Sequence, residues 1–196
     1  KEPMEEIKKE ETRKIYVLLT QTGTVLSRLL KFLTKEKYNH SSIAMDDELN
    51  EIYSFGRLNP YNPFVGGFVK ESPDYGTFKR FYKTTGILLE LDISAEKYEK
   101  TLAKLHKMYD ERNEYKYNYG GLFGSFFGKV VEKPHRYYCS EFVKKVLIDN
   151  ELIKAEDFEG VTAPADFLKI PDAKVVWQGV LAEYPGHGGE LHTVFS

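Results

Sequence analysis

One cysteine, Cys139, and one tryptophan are all that 196 residues contain of either. A single thiol excludes an internal disulfide framework and a cysteine-rich zinc site, and it fits a reducing, cytoplasmic setting. No apolar run approaches the roughly eighteen residues that crossing a bilayer takes, so no transmembrane segment is expected. Excess charge is missing too: 28 Lys and Arg stand against 30 Asp and Glu, a net charge of −2. That balance carries no whole-chain signal for nucleic acid. Five scattered histidines form no closely spaced ligand pair, so neither a metal nor another cofactor is expected. A phosphate loop is also absent. Tyr115 to Gly128 is rich in glycine, but Gly124 and Gly128 stand one residue too close, and Val130 follows Lys129 where a hydroxyl belongs.

What is present is enough for a core: 41% of residues are apolar and 14% aromatic. The length suits one domain. Residues 1–13 read as a charged arm, 14–185 as the domain and 186–196 as a glycine-containing tail. Lys14–Thr20 has the branched and aromatic content of a buried strand, and Val25 to Leu33 carry a helical stripe that Thr24 would cap. Ser41–Asp46 and Glu51–Arg57 form an expected antiparallel hairpin. Residues 58–76, with three prolines and three glycines, read as an irregular loop holding at most a short strand at 68–70. Ile87–Ile93 is a strand, Ser94 caps a helix with Tyr98, Leu102, Leu105 and Tyr109 on one face, and Lys174–Tyr184 closes the chain as a strand. The expected fold class is α+β, an antiparallel sheet or barrel packed against helices.

Cys139 stands where an amphipathic helix begins: Phe142, Val143, Val146 and Leu147 share a face opposite Lys144, Lys145 and Asp149. A thiol there meets unpaired backbone N–H groups and the positive end of the helix dipole, both of which favour thiolate. The plain alternative is a small buried hydrophobe. Acyl chemistry would also need an imidazole to carry the proton, a group to orient it and an oxyanion donor, for which the Cys139 N–H is placed. His40 opens a strand and is the best base. His106 lies off the apolar stripe of its helix, His135 sits on a loop beside Pro134, and His187 and His192 fall in the tail. The aromatic run 115–127 reads either as a connection tucked on the core or as a mobile apolar wall beside Cys139.

Three stretches, Tyr38-Asn39-His40-Ser41-Ser42-Ile43-Ala44, Ile52-Tyr53-Ser54-Phe55-Gly56-Arg57 and Tyr137-Tyr138-Cys139-Ser140-Glu141-Phe142-Val143, together resemble the circularly permuted branch of the NlpC-like papain-fold superfamily. That branch includes the bacterial YiiX-like proteins and, more distantly, lecithin–retinol acyltransferase-like enzymes. The resemblance spans roughly residues 14 to 170 and has His before Cys, as here. It implies a sheet against the Cys139 helix and a thiol-dependent amidase, peptidase-like hydrolase or acyltransferase working through a thioester. The substrate would be a small peptide, an amide or an acyl lipid, with peripheral lipid contact. The third catalytic position falls on Ser54, where the family usually has His or an acid; Glu51 or Tyr53 could serve after a bulge. Tyr53, Tyr137 and Tyr138 line the expected substrate cleft. A binding module without turnover is the alternative on the same fold.

Overall fold

The computed structural model describes residues 11–23, 37–125 and 127–186. The helix expected over 24–34, the start of the arm, His187, His192 and most of the tail lie outside those residues.

Six antiparallel strands form one sheet: β1 (Thr12–Gln21), β2 (His40–Ala44), β3 (Ile52–Asn59), β4 (Asn62–Glu71), β5 (Thr85–Ser94) and β8 (Lys174–Val180). Their order is β4-β3-β2-β1-β5-β8. The sheet is open, with β4 and β8 as separate edges, so the fold is α+β without a barrel. Strand β1 lies at the centre, laddered to β2 from Tyr16↔Ala44 to Thr20↔His40 and to β5 from Thr12↔Ser94 to Gln21↔Thr85. Both of its faces are covered, which is why its apolar run is continuous instead of alternating.

The two faces carry different cores. On one, Ile15, Val17, Leu19, Ile43, Phe55 and Phe68 pack against α2 (Ala95–Asp110) and α4 (Cys139–Asp149). On the other, Tyr16, Leu18, Ile52 and Leu88 meet Phe78, Trp177, Leu181 and Tyr184. Phe78 comes from α1 (Gly76–Arg80), a short helix between β4 and β5. Ser94 caps α2 as expected, its hydroxyl accepting from the Lys97 N–H at 3.3 Å. Between α2 and α4 run β6 (Lys116–Tyr117), α3 (Tyr119–Ser125) and β7 (Arg136–Tyr137); β6 and β7 pair in parallel.

The largest departure from expectation is β4. The prolines and glycines of 58–76 do not dissolve the strand, because β4 is an edge. Pro60 and Pro63 sit at the hairpin tip, where missing N–H groups break no inner ladder. Gly66 and Gly67 give clearance: a Cβ at Gly66 would come within 2.9 Å of both the Tyr117 Cβ and the Tyr119 hydroxyl. No described helix is long and apolar enough to cross a membrane.

Candidate active site

His40 opens β2 at the end where β2 and β3 part. Their ladder holds only Ile43↔Tyr53 and Ala44↔Ile52. Toward His40 the strands are joined instead by Ser54, whose hydroxyl donates to the Ser41 carbonyl at 2.7 Å. Ser54 therefore has the strand parity expected of an orienter but not that role; it replaces a ladder bond. Removing it leaves a buried carbonyl unpaired. Ser54→Ala should lower stability by about 1–2 kcal/mol in denaturant titration, while changing Cys139 alkylation little.

The partner of His40 is Glu71, the last residue of β4. Its Oε1 lies 2.7 Å from His40 Nε2, and its Oε2 accepts from the Ser42 hydroxyl. The two side chains are only 17% and 12% exposed. Gly56 makes room for them: a Cβ there would lie 3.5 Å from His40 Cε1 and 3.4 Å from Glu71 Oε1. The Phe78 ring closes another side, 6.4 Å from the imidazole centre.

Across the imidazole is Cys139. With Nε2 on Glu71, the other ring nitrogen is left for the thiol, which is near enough for the two groups to shift each other's titration. Burial by itself would push the His40 pKa down. The Glu71 charge and the hydrogen bonds to Cys139 and Glu71 reverse this and raise it to about 10. Burial pushes the Cys139 thiol up, but the His40 hydrogen bond and charge, with the Ser41 N–H, outweigh it and bring the thiol below its ordinary value. The two groups titrate as a pair, and the favoured state is thiolate–imidazolium. The Ser41 hydroxyl adds to that stabilisation, though it closes no full hydrogen bond. Thr20, across the ladder from His40, has another buried hydroxyl with no partner. Buried polar groups are rarely left this way, and here two flank the candidate base.

Helix α4 delivers Cys139 because Phe142, Val143, Val146 and Leu147 bury its apolar stripe against the sheet. The Glu141 carboxylate accepts from the Tyr138 N–H at 2.9 Å and caps the first turn. The N–H of Cys139 lies in that turn, where helices leave donors without intrahelical partners.

The other expected site residues scatter. Tyr53 is 1% exposed, stacked 5.9 Å from Phe68 on the helix-covered face, with its hydroxyl on Glu51. It is a core residue, not part of a substrate cleft, and Glu51 is held by Lys70 and His106 away from His40. Tyr137 packs 5.2 Å from Phe55. Tyr137 and Tyr138 do line a cavity of about 530 Å³ with Glu141, Lys144 and Thr162, but Cys139 does not open into it. His135 lies over Tyr115 instead of near the thiol. Tyr117, from the aromatic run 115–127 read as a possible wall beside Cys139, is near enough to the thiol to feel its charge. Burial raises its pKa first, and the charge on Cys139 second.

Among the described residues no group of three or more His, Cys, Asp or Glu converges as metal ligands would. No family model, curated protein or solved structure matches this chain.

Proposed function

We propose that the protein is a thiol-dependent hydrolase or acyltransferase acting on an amide or ester through Cys139, His40 and Glu71. The observation that carries this is the line of groups from the Cys139 thiol through the His40 ring to the Glu71 carboxylate, 2.7 Å from Nε2. The Cys139 thiolate attacks the acyl carbonyl carbon, and the N–H of Cys139 takes the developing oxyanion. Collapse breaks the bond to nitrogen or oxygen, and the leaving group takes its proton from the His40 imidazolium. The product is a thioester on Cys139 and a neutral imidazole. Water, or a second acceptor, then gives its proton to His40 and attacks the thioester, and the thiolate–imidazolium pair returns. Glu71 keeps the ring oriented and its positive form favoured. The chain order supports a permuted papain-like arrangement, His on an early strand and Cys on a late helix against an antiparallel sheet. A small peptide, another amide or an acyl lipid is the substrate class.

The first test is the pH profile of Cys139 alkylation by iodoacetamide. The native thiol should ionise well below the usual pKa of about 8.5, and His40→Ala should abolish that advantage. An ordinary profile unchanged by His40→Ala would overturn the reading. Cys139→Ala should fold normally and lose all turnover of any amide or ester substrate the native chain accepts.

One observation favours a second reading, a binding module without turnover: Cys139 is only 4% exposed. Saturable peptide or lipid binding that Cys139→Ala leaves unchanged, with no thioester formed by activated acyl donors, would establish it.

A further inference from the structure

From the charge and exposed aromatics of one edge of the sheet, we infer that the β3–β4 hairpin, with α1 beside it, is a docking surface for anionic lipid bilayers. The inference concerns a surface separate from the thiol chemistry and does not depend on it.

Charge is distributed unevenly along a chain that is nearly neutral overall. Residues 52–70, 75–89 and 115–131 contain no Asp or Glu, although the chain has 30. The same three runs contain Arg57, Lys79, Arg80, Lys83, Lys116 and Lys129, besides Lys70, which pairs with Glu51. They fold together. Arg80 of α1 sits 3.9 Å over the Tyr61 ring at the hairpin tip. On the other flank the Tyr119 hydroxyl donates to the Pro63 carbonyl at 3.3 Å. One region of the surface is thus basic with no acid contributed by the segments that build it, and it complements an anionic membrane.

Large apolar side chains stand out from the same region. Phe64 is 83% exposed and Tyr61 74%, with Leu58, Val65 and Tyr82 also exposed. Aromatic tips flanked by Lys and Arg suit the boundary between headgroups and acyl chains.

The backbone of the tip is prepared for a medium poor in hydrogen-bond partners. Pro60 and Pro63 have no N–H to satisfy. The Tyr61 N–H donates to Asn59 Oδ1 at 2.8 Å, and the Phe64 N–H to Asn62 Oδ1 at 2.9 Å. Entering the interface therefore strands neither amide. An acidic protein partner would match the charge equally well, but it would draw less benefit from a tip that has already used its own donors. The hairpin also leads back to the site, since Gly56 on β3 and Glu71 on β4 both touch His40.

The test is co-sedimentation of the full chain with vesicles of phosphatidylcholine alone, or of phosphatidylcholine mixed with phosphatidylglycerol. Binding to the mixed vesicles and not to the neutral ones is expected, weakened at about 1 M salt. Phe64→Ser should reduce vesicle affinity about tenfold or more. The triple variant Lys79→Gln, Arg80→Gln, Lys83→Gln should reduce it on the order of 100-fold. All four positions are at the surface, and unchanged Cys139 alkylation would show that the fold is kept. Cys139→Ala should bind vesicles as the native chain does, so loss of chemistry and loss of docking are read separately. No sedimentation with anionic vesicles would overturn the proposal and leave a protein partner as the fit for this surface. Sedimentation unaffected by both the Phe64→Ser and the triple variant would overturn it as well.

Discussion

Glu71→Gln is expected to lower thiol-dependent turnover by about 100-fold or more, the scale of a lost contribution to acid–base catalysis. The substitution keeps the shape of the side chain and removes its charge. Without that charge, burial of His40 is no longer offset by its largest opposing influence, and the imidazole pKa falls from about 10. The sign then carries to the sulfur. A ring less willing to be positive stabilises thiolate less, so the Cys139 pKa rises. Two limbs of the pH profile should therefore move toward each other. The acid limb, set by thiolate formation, shifts up, and the alkaline limb, set by loss of the His40 proton, shifts down. Iodoacetamide kinetics would report the first limb even without a known substrate. Unchanged limbs in Glu71→Gln would remove the carboxylate from the mechanism.

Phe55→Ala should cost about 3–5 kcal/mol of folding stability. Phe55 is fully buried on β3, and its ring lies 5.2 to 5.4 Å from those of Tyr137, Phe68 and Phe142. Those partners come from β7, β4 and α4, so one ring fastens the sheet to the helix that bears the thiol. A loss of that size is a large share of the stability of an ordinary domain. Urea titration should show a lower midpoint at nearly constant slope. A loss below about 1 kcal/mol would mean that the neighbouring rings collapse into the space.

The physical signals that could be read from sequence were the periodic ones. Lys14–Thr20 announced a central strand by its unbroken apolar run, and the spacing of Phe142, Val143, Val146 and Leu147 announced the helix behind Cys139. Both follow from burial, which leaves a period. Glu71 left none. It ends an edge strand whose prolines and glycines meet local needs of a tip and a close approach, and these looked like loop composition. Its only trace was the alternation from Phe68 to Glu71, which puts Glu71 on the sheet face opposite Phe68. Ser54 was placed on the correct face, but face is not reach, and the opening between β2 and β3 takes its hydroxyl. The same alternation puts Tyr53 on the opposite face from Ser54, where the helices cover it. That much could have been read beforehand.

The near-complete cover over Cys139 bears on the lifetime of the protein as well as on its chemistry. A thiolate is the form of cysteine that peroxides oxidise, first to sulfenic acid and then irreversibly. At 4% exposure, with His40 and Ser41 against the sulfur, oxidants reach the thiolate only when the neighbouring side chains move aside. Activation and protection of the sulfur thus come from one set of contacts. Substitutions that widen the entrance to the sulfur would also shorten the survival of the protein under oxidative stress.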